Sequence, residues 1–101
     1  GGAEEATWLP AAQAERAGIY SSLGLVFSSH MQYSKAVHAL GLAVRAAEEA
    51  ADGGAALALA LTALGQLELR HHRYRAADAH FEGAIRQHAD VLAHADLAGF
   101  L

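Results

Sequence analysis

The sequence lacks cysteine altogether and contains a single proline, Pro10, among its 101 residues. Without cysteine, disulfides and thiolate metal sites are excluded, and nothing else points to an oxidising compartment. Charged residues make up only 18% of the chain, and its formal net charge is −4. A nucleic-acid-binding protein normally carries a basic surface, so we expect no nucleic-acid partner.

Long apolar runs are also missing. The most apolar stretch, residues 55–67, is interrupted by Thr62 and Gln66. It is shorter than the ~20 residues that a membrane-spanning helix needs. The N-terminal region carries Glu4 and Glu5 where a signal peptide would be basic. These observations predict a cytoplasmic, intracellular protein with no membrane partner.

Alanine and leucine dominate the composition, and apolar residues make up 53% of the chain. Both residue types favour helices, and runs of β-branched residues are nearly absent. The length is that of one domain. We therefore predict a single all-α domain over residues 1–101.

The sequence repeats itself with an offset of 41 residues, since YSKAVHALGLAV at 33–44 matches YRAADAHFEGAI at 74–85. The matched pairs share one register: Tyr20/Leu61, Leu23/Leu64, Gly24/Gly65, Tyr33/Tyr74, Ala36/Ala77, Leu40/Phe81 and Ala43/Ala84. Within each unit, their spacing places them on one face of a first helix and on one face of a second helix. Each unit is therefore predicted to be a helix–turn–helix hairpin, in which glycine lets the two backbones approach closely.

This pattern of an aromatic residue, Leu-Gly and then Tyr, Ala, a bulky residue and Ala resembles the tetratricopeptide repeat over roughly residues 17–87. The period is longer than the about 34 residues usual for that family, and Glu68 stands where the first unit has Phe27. The longer period is similar to repeats of kinesin light chains and many bacterial regulators. The resemblance implies an α-solenoid of about two and a half antiparallel hairpins. Repeat one would span about 11–50, repeat two about 55–88, and a partial repeat or capping helix 91–101.

In detail, we predict five helices, near 11–29, 32–50, 55–71, 74–88 and 91–101, with Asp90 capping the last. We also predict a buried face made of the repeated alanines and their large neighbours: Ala36, Ala43, Ala77, Ala84, Tyr20, Leu23, Leu40, Leu61, Leu64 and Phe81.

The resemblance also implies where a partner binds, because the first helix of each hairpin in this family lines a concave groove. The groove positions here are Ser21, Ser22, Leu25, Ser28, Ser29, Thr62, Gln66, Leu69 and Arg70. The Lys–Asn clamp of the repeats that bind chaperone tails is absent. A small, mostly neutral groove suits a helical or extended segment. The alternative is that a neighbouring helix of a parent protein fills it.

Residue types that support catalysis or metal binding occur here without the necessary spacing. Seven histidines are scattered, and the adjacent pair His71 and His72 point in different directions, so we expect no metal site and no cofactor. The serines lie on predicted helices, and no phosphate-binding loop is present, so we expect no enzymatic activity. The only basic cluster, RHHRYR at 70–75, is either an anchor for an acidic peptide or phosphate or a solvated turn.

We therefore predict a non-catalytic scaffold that binds a peptide or helical segment of a partner protein. Two alternatives stay open: a sensor or regulatory segment of a larger transcription factor or signalling ATPase, and a structural repeat segment of a multi-subunit assembly. Exposed apolar surface usually marks an interface. Because the last predicted helix is strongly apolar, we predict a homo-oligomer formed through Leu97, Phe100 and Leu101.

Overall fold

The described part of the chain forms four α-helices: α1 (Gly2–Ser29), α2 (Tyr33–Glu49), α3 (Gly54–Arg70) and α4 (Tyr74–Phe100). The computed structural model describes the backbone of residues 2–50 and 53–100 and the side chains of residues 12–50 and 53–93. No strand occurs within these ranges, so the predicted all-α fold is confirmed. No helix in the same ranges is both long enough and apolar enough to cross a membrane.

Two hairpins, α1–α2 and α3–α4, close through turns of the same geometry. Met31 has a φ of 59° and His72 a φ of 60°. This left-handed conformation ends many helices, because it lets the last turn satisfy its carbonyl groups. In both turns the next backbone N–H donates to the carbonyl five residues earlier, at 2.9 Å and 2.8 Å. The 41-residue sequence repeat is therefore also a repeat of backbone geometry.

Within each hairpin, glycine lies where the two helices come closest. A Cβ atom added at Gly24 would lie 2.6 Å from Cγ of Leu40, and one added at Gly65 would lie 2.6 Å from Cε1 of Phe81. Carbon atoms do not approach each other so closely without displacement. The predicted close approach of the helices is therefore confirmed at both glycines.

The hairpins are joined mainly through α2 and α3. One buried cluster lies where these two helices meet: Ala36, Leu40, Ala63, Leu64 and Leu67. A smaller cluster links α1 and α2 to the start of α3: Ala17, Ala46 and Ala47, with Ala56 and Leu57 packed against them. Most of these residues are alanine, and the small side chains let the helix axes approach one another.

The repeated alanines are buried as predicted: Ala36, Ala43, Ala77 and Ala84. Leu40 and Leu64 are buried with them, whereas the remaining large residues, Tyr20, Leu61 and Phe81, are half-buried. The prediction of a buried Leu23 is wrong, because this side chain is 42% exposed. Leu64 holds the same place in the second hairpin and is covered by α2 of the first. No described helix covers the corresponding side of α1.

The prediction of five helices is also wrong. Helix α4 runs from Tyr74 to Phe100, through the position at which Asp90 was expected to cap a new helix at 91–101. Neither glycine nor proline occurs between Gly83 and Gly99, so nothing there interrupts the backbone hydrogen bonds. Helix α1 begins at Gly2 instead of near residue 11 and continues through Pro10. Alanine and glutamate before that proline favour the helical state. The other helix ends lie within one residue of the prediction.

Candidate partner-binding surfaces

The residues predicted to line a groove lie on α1 and α3, which pack against each other. Six of them are exposed: Ser22, Leu25, Ser29, Gln66, Leu69 and Arg70. Ser28 and Thr62 are half-buried. Ser21 is buried, because α1 packs against both α2 and α3, so it lies beneath this surface instead of on it.

A hydrogen bond across the two hairpins brings part of this set together. The Nη1 atom of Arg70 donates to Oγ of Ser28 at 3.2 Å. Leu25 lies one turn before Ser28 on α1, and Leu69 precedes Arg70 on α3, and both leucines are exposed. We call these four residues the α1–α3 surface. It combines two apolar side chains with one cation shared between the hairpins.

The hydroxyl groups nearby are already engaged by their own helices. Ser29 Oγ donates to the carbonyl of Val26 at 2.8 Å, and Thr62 Oγ1 donates to the carbonyl of Ala58 at 2.8 Å. Such bonds use the hydroxyl proton locally and leave only the oxygen lone pairs for another molecule. Apolar contact and the Arg70 charge are therefore the main means of recognition that this surface offers.

The basic segment 70–75 lies at the turn of the second hairpin. The ring of His71 lies 4.0 Å from the ring of Tyr33, centroid to centroid, and the guanidinium of Arg73 lies 5.2 Å from the same ring. Together with the Arg70–Ser28 bond, these contacts attach the second turn to the first hairpin. Part of this cluster, for which the sequence left a binding anchor and a solvated turn as alternatives, thus holds the hairpins together.

Two apolar hollows lie beside the hairpins. The first has a volume of about 330 Å³ and is lined by α1 and α2: Tyr20, Leu23, Phe27, Ser34, Lys35, His38, Ala39 and Leu42. The second has a volume of about 800 Å³ and is lined by α3 and α4: Ala55, Ala58, Leu59, Thr62, Phe81, Ala84, Ile85, His88, Ala89, Val91 and Leu92. Sequence reasoning missed both hollows. The repeat pattern carried no signal for them, because Leu23 and Phe81, which line the two hollows, occupy positions where the pattern predicts buried residues.

One buried carboxylate lies apart from these surfaces. Glu68 is buried, and its Oε1 accepts a hydrogen bond from Nδ1 of His80 at 2.5 Å. The matched residues of the first hairpin are Phe27 and Ala39, which both border the smaller hollow. The hydrogen bond therefore satisfies a polar group at a place where the first hairpin is apolar. Among the described side chains, no group of three or more His, Asp or Glu is arranged to hold a metal ion.

The residues predicted to mediate self-association cannot be placed on any of these surfaces. Leu97 and Phe100 belong to the part of α4 whose side chains lie outside the described residues, and Leu101 lies outside them entirely. Their role stays a prediction.

Comparison of the chain with protein-family models, with curated proteins and with solved structures finds no match. The described residues form an all-α protein that contains two helical hairpins. The turns and close approaches of these hairpins recur after 41 residues.

Proposed function

We propose that this chain is a tetratricopeptide-like, solenoid-forming module that acts inside the cell as a non-catalytic scaffold and binds a short segment of a partner protein on the α1–α3 surface. The observation that supports this proposal most is the Arg70–Ser28 hydrogen bond. The bond connects successive hairpins beside two exposed leucines, Leu25 one turn before Ser28 and Leu69 next to Arg70.

The repeated hairpin geometry supports the tetratricopeptide part of the proposal. Both hairpins have a left-handed residue in the turn and a glycine at the closest approach of the helices. In repeat architectures each unit packs on its neighbours in the same way, and an extended binding surface results from the stacking. The packing of α3 against both α1 and α2 fits such an arrangement.

The chemistry of the surface indicates the kind of segment that it would bind. Two leucines offer apolar anchor sites, and a guanidinium pairs favourably with carboxylates. The partner segment should therefore carry apolar residues followed or preceded by an acidic residue. Peptides of this type bind either as an amphipathic helix or as an extended chain.

Selection from a displayed random peptide library, followed by fluorescence anisotropy with the selected peptides, tests the proposal. We expect enrichment of acidic–apolar sequences. Leu69→Glu and Arg70→Glu should each weaken their binding at least about tenfold, as expected for central interface residues. Leu92→Glu is the matched control and should leave binding unchanged, since Leu92 is an exposed leucine on α4, outside the α1–α3 surface. The proposal is wrong if no peptide is enriched, or if the selected peptides bind all three variants as well as they bind the wild type.

A further inference from the structure

Several exposed apolar residues of α1 correspond, one repeat later, to residues that are buried between the hairpins. Three such side chains on α1 are exposed: Ile19, Leu23 and Val26. Their counterparts 41 residues later on α3 are all buried: Ala60, Leu64 and Leu67. We call the three α1 residues the leading face. Two of the counterparts, Leu64 and Leu67, are residues with which α3 packs on α2 of the preceding hairpin.

On α4 of the second hairpin, exposed residues likewise correspond to residues that take part in the contact between the hairpins. Tyr74 and Ile85 are exposed, Ile85 to 68%. Their counterparts 41 residues earlier, Tyr33 and Val44, pack on the cluster between α2 and α3. Phe81, the counterpart of a buried leucine, borders the larger hollow. We call Tyr74, Phe81 and Ile85 the trailing face, because they hold the positions that α2 uses to receive α3.

The two faces are therefore the two halves of one interface that the molecule already contains. We propose that a second copy of this chain places its leading face on the trailing face of the first, and so repeats the packing between the hairpins. The contact is head to tail, which leaves one leading and one trailing face free in every complex. Such heterologous contacts continue into longer assemblies unless their geometry closes a ring.

An aromatic contact at the internal interface identifies a second copy as the occupant. Inside the molecule the ring of Tyr33 lies 4.0 Å from the ring of His71. Shifted by one repeat, this contact becomes Tyr74 of one copy against His30 of the next. Both of these side chains are exposed. The trailing face thus offers the same ring, whose hydroxyl lies 2.8 Å from Nδ1 of His72 in its own copy. The leading end of a second copy offers the same imidazole, whose Nδ1 lies 2.9 Å from the Val26 carbonyl oxygen.

The match is not apolar everywhere, because Ser22 and Asp78 stand at the positions of Ala63 and Val37, which belong to or pack on the cluster between the hairpins. Val37 is half-buried and borders a shallow cleft outside α2, so Asp78 in the matched position would keep contact with water. The buried alanines Ala46 and Ala47 are matched by Gln87 and His88 on one copy, and Ala56 and Leu57 by Glu15 and Arg16 on the other. The contact between copies should therefore be weaker than the contact between the two hairpins of one chain, and its apolar part should lie at the leading and trailing faces.

Light scattering coupled to size-exclusion chromatography, over a series of concentrations, tests the proposal. The wild-type mass should rise from the 10.5 kDa of one chain and continue past the dimer. A leading-face variant, Ile19→Glu with Val26→Glu, should be monomeric, and so should the trailing-face variant Ile85→Glu. Each variant keeps one intact face. Mixing the two should therefore restore a one-to-one complex that does not grow further.

Leu59→Glu is the control, because Leu59 is an exposed leucine outside both faces and outside the α1–α3 surface. It should assemble like the wild type, and circular dichroism should show that every variant is folded. The proposal is overturned by a wild type that stays monomeric up to about 1 mM, the weak end of specific affinities. It is equally overturned if the mixed variants do not pair. The proposal is also overturned if each variant still self-associates alone, because the contact then joins like faces or involves residues 94–101. Peptide binding to the α1–α3 surface is measured separately, so neither result decides the other.

Discussion

Gly24 is the residue at which the first hairpin has the least space, since a methyl group there would overlap Leu40. Leu40 is fully buried and cannot move aside. We therefore expect Gly24→Ala to lower the free energy of unfolding by about 1–3 kcal/mol through overpacking. Urea unfolding followed by circular dichroism measures the change.

Gly18 is the matched control on the same helix, because nothing lies within 4 Å of a Cβ atom built there. Gly18→Ala should raise the free energy of unfolding by up to about 1 kcal/mol, the difference in helix propensity between the two residues. Two substitutions of the same kind should thus have opposite signs. If both stabilise the protein, the helices are not as close at Gly24 as the structure has them.

Glu68 and His80 form a pair that replaces Phe27 and Ala39 of the first hairpin. Glu68→Phe alone should destabilise the protein, because it removes the hydrogen-bond acceptor of His80 and crowds the ring. Adding His80→Ala restores the combination of the first hairpin and should recover part of the loss. A double-mutant cycle by urea unfolding should give a favourable coupling of about 0.5–3 kcal/mol. Purely additive effects would show that the two positions do not depend on each other.

At the scale of the helix, Asp90 distinguishes a continuous α4 from two helices. Inside a helix, aspartate is less favourable than alanine by at most about 0.7 kcal/mol. At an N-cap, aspartate stabilises relative to alanine by about 1 kcal/mol. The continuous α4 therefore predicts that Asp90→Ala slightly stabilises the protein and increases its helicity. Destabilisation in a thermal melt would instead support a separate helix beginning near residue 91.

Some helix ends were predictable from sequence because local residues determine them. Polar segments around Met31 and His72 mark the two turns, and the helix ends there match the prediction within one residue. The predicted helix start near Asp90 was wrong because aspartate occurs both at N-caps and inside helices. Pro10 gave a similarly ambiguous signal, since proline is common in the first helical turn but does not always start a helix.

At the scale of the whole molecule, comparing Leu64 with Leu23 shows how much packing on a neighbouring hairpin adds to the free energy of unfolding. Leu64→Ala should cost about 2–5 kcal/mol, because it leaves a cavity in the cluster that joins the hairpins. Leu23→Ala removes the same atoms from the matched position, which is 42% exposed, and should cost clearly less. Urea unfolding at low protein concentration compares the two variants. Equal losses of stability in the two variants would show that packing on the neighbouring hairpin does not distinguish Leu64 from Leu23.

The same pair of leucines shows why the candidate surfaces were only partly predictable. Leu25, Leu69 and Arg70, which the repeat register assigns to a groove, are exposed on α1 and α3. The register could not predict that Leu23 is exposed while Leu64 is buried, because both leucines hold the same Leu-Gly position of the repeat. Burial at these positions depends on which helix packs from the neighbouring hairpin. Local sequence does not contain that information.

Helix α3 packs against each of the other three helices, whereas α4 packs against α3 alone within the described part of the chain. This arrangement has a kinetic consequence, because contacts between elements near in sequence close only short loops and so form quickly. We expect the two hairpins, whose helices are separated by residues 30–32 and 71–73, to form first and then to pack on each other through α3. Helix α4 should then be the first to open in native-state hydrogen exchange, with its amide protons exchanging before those of α3. A chain built in this way lengthens or shortens at its ends without a new folding nucleus.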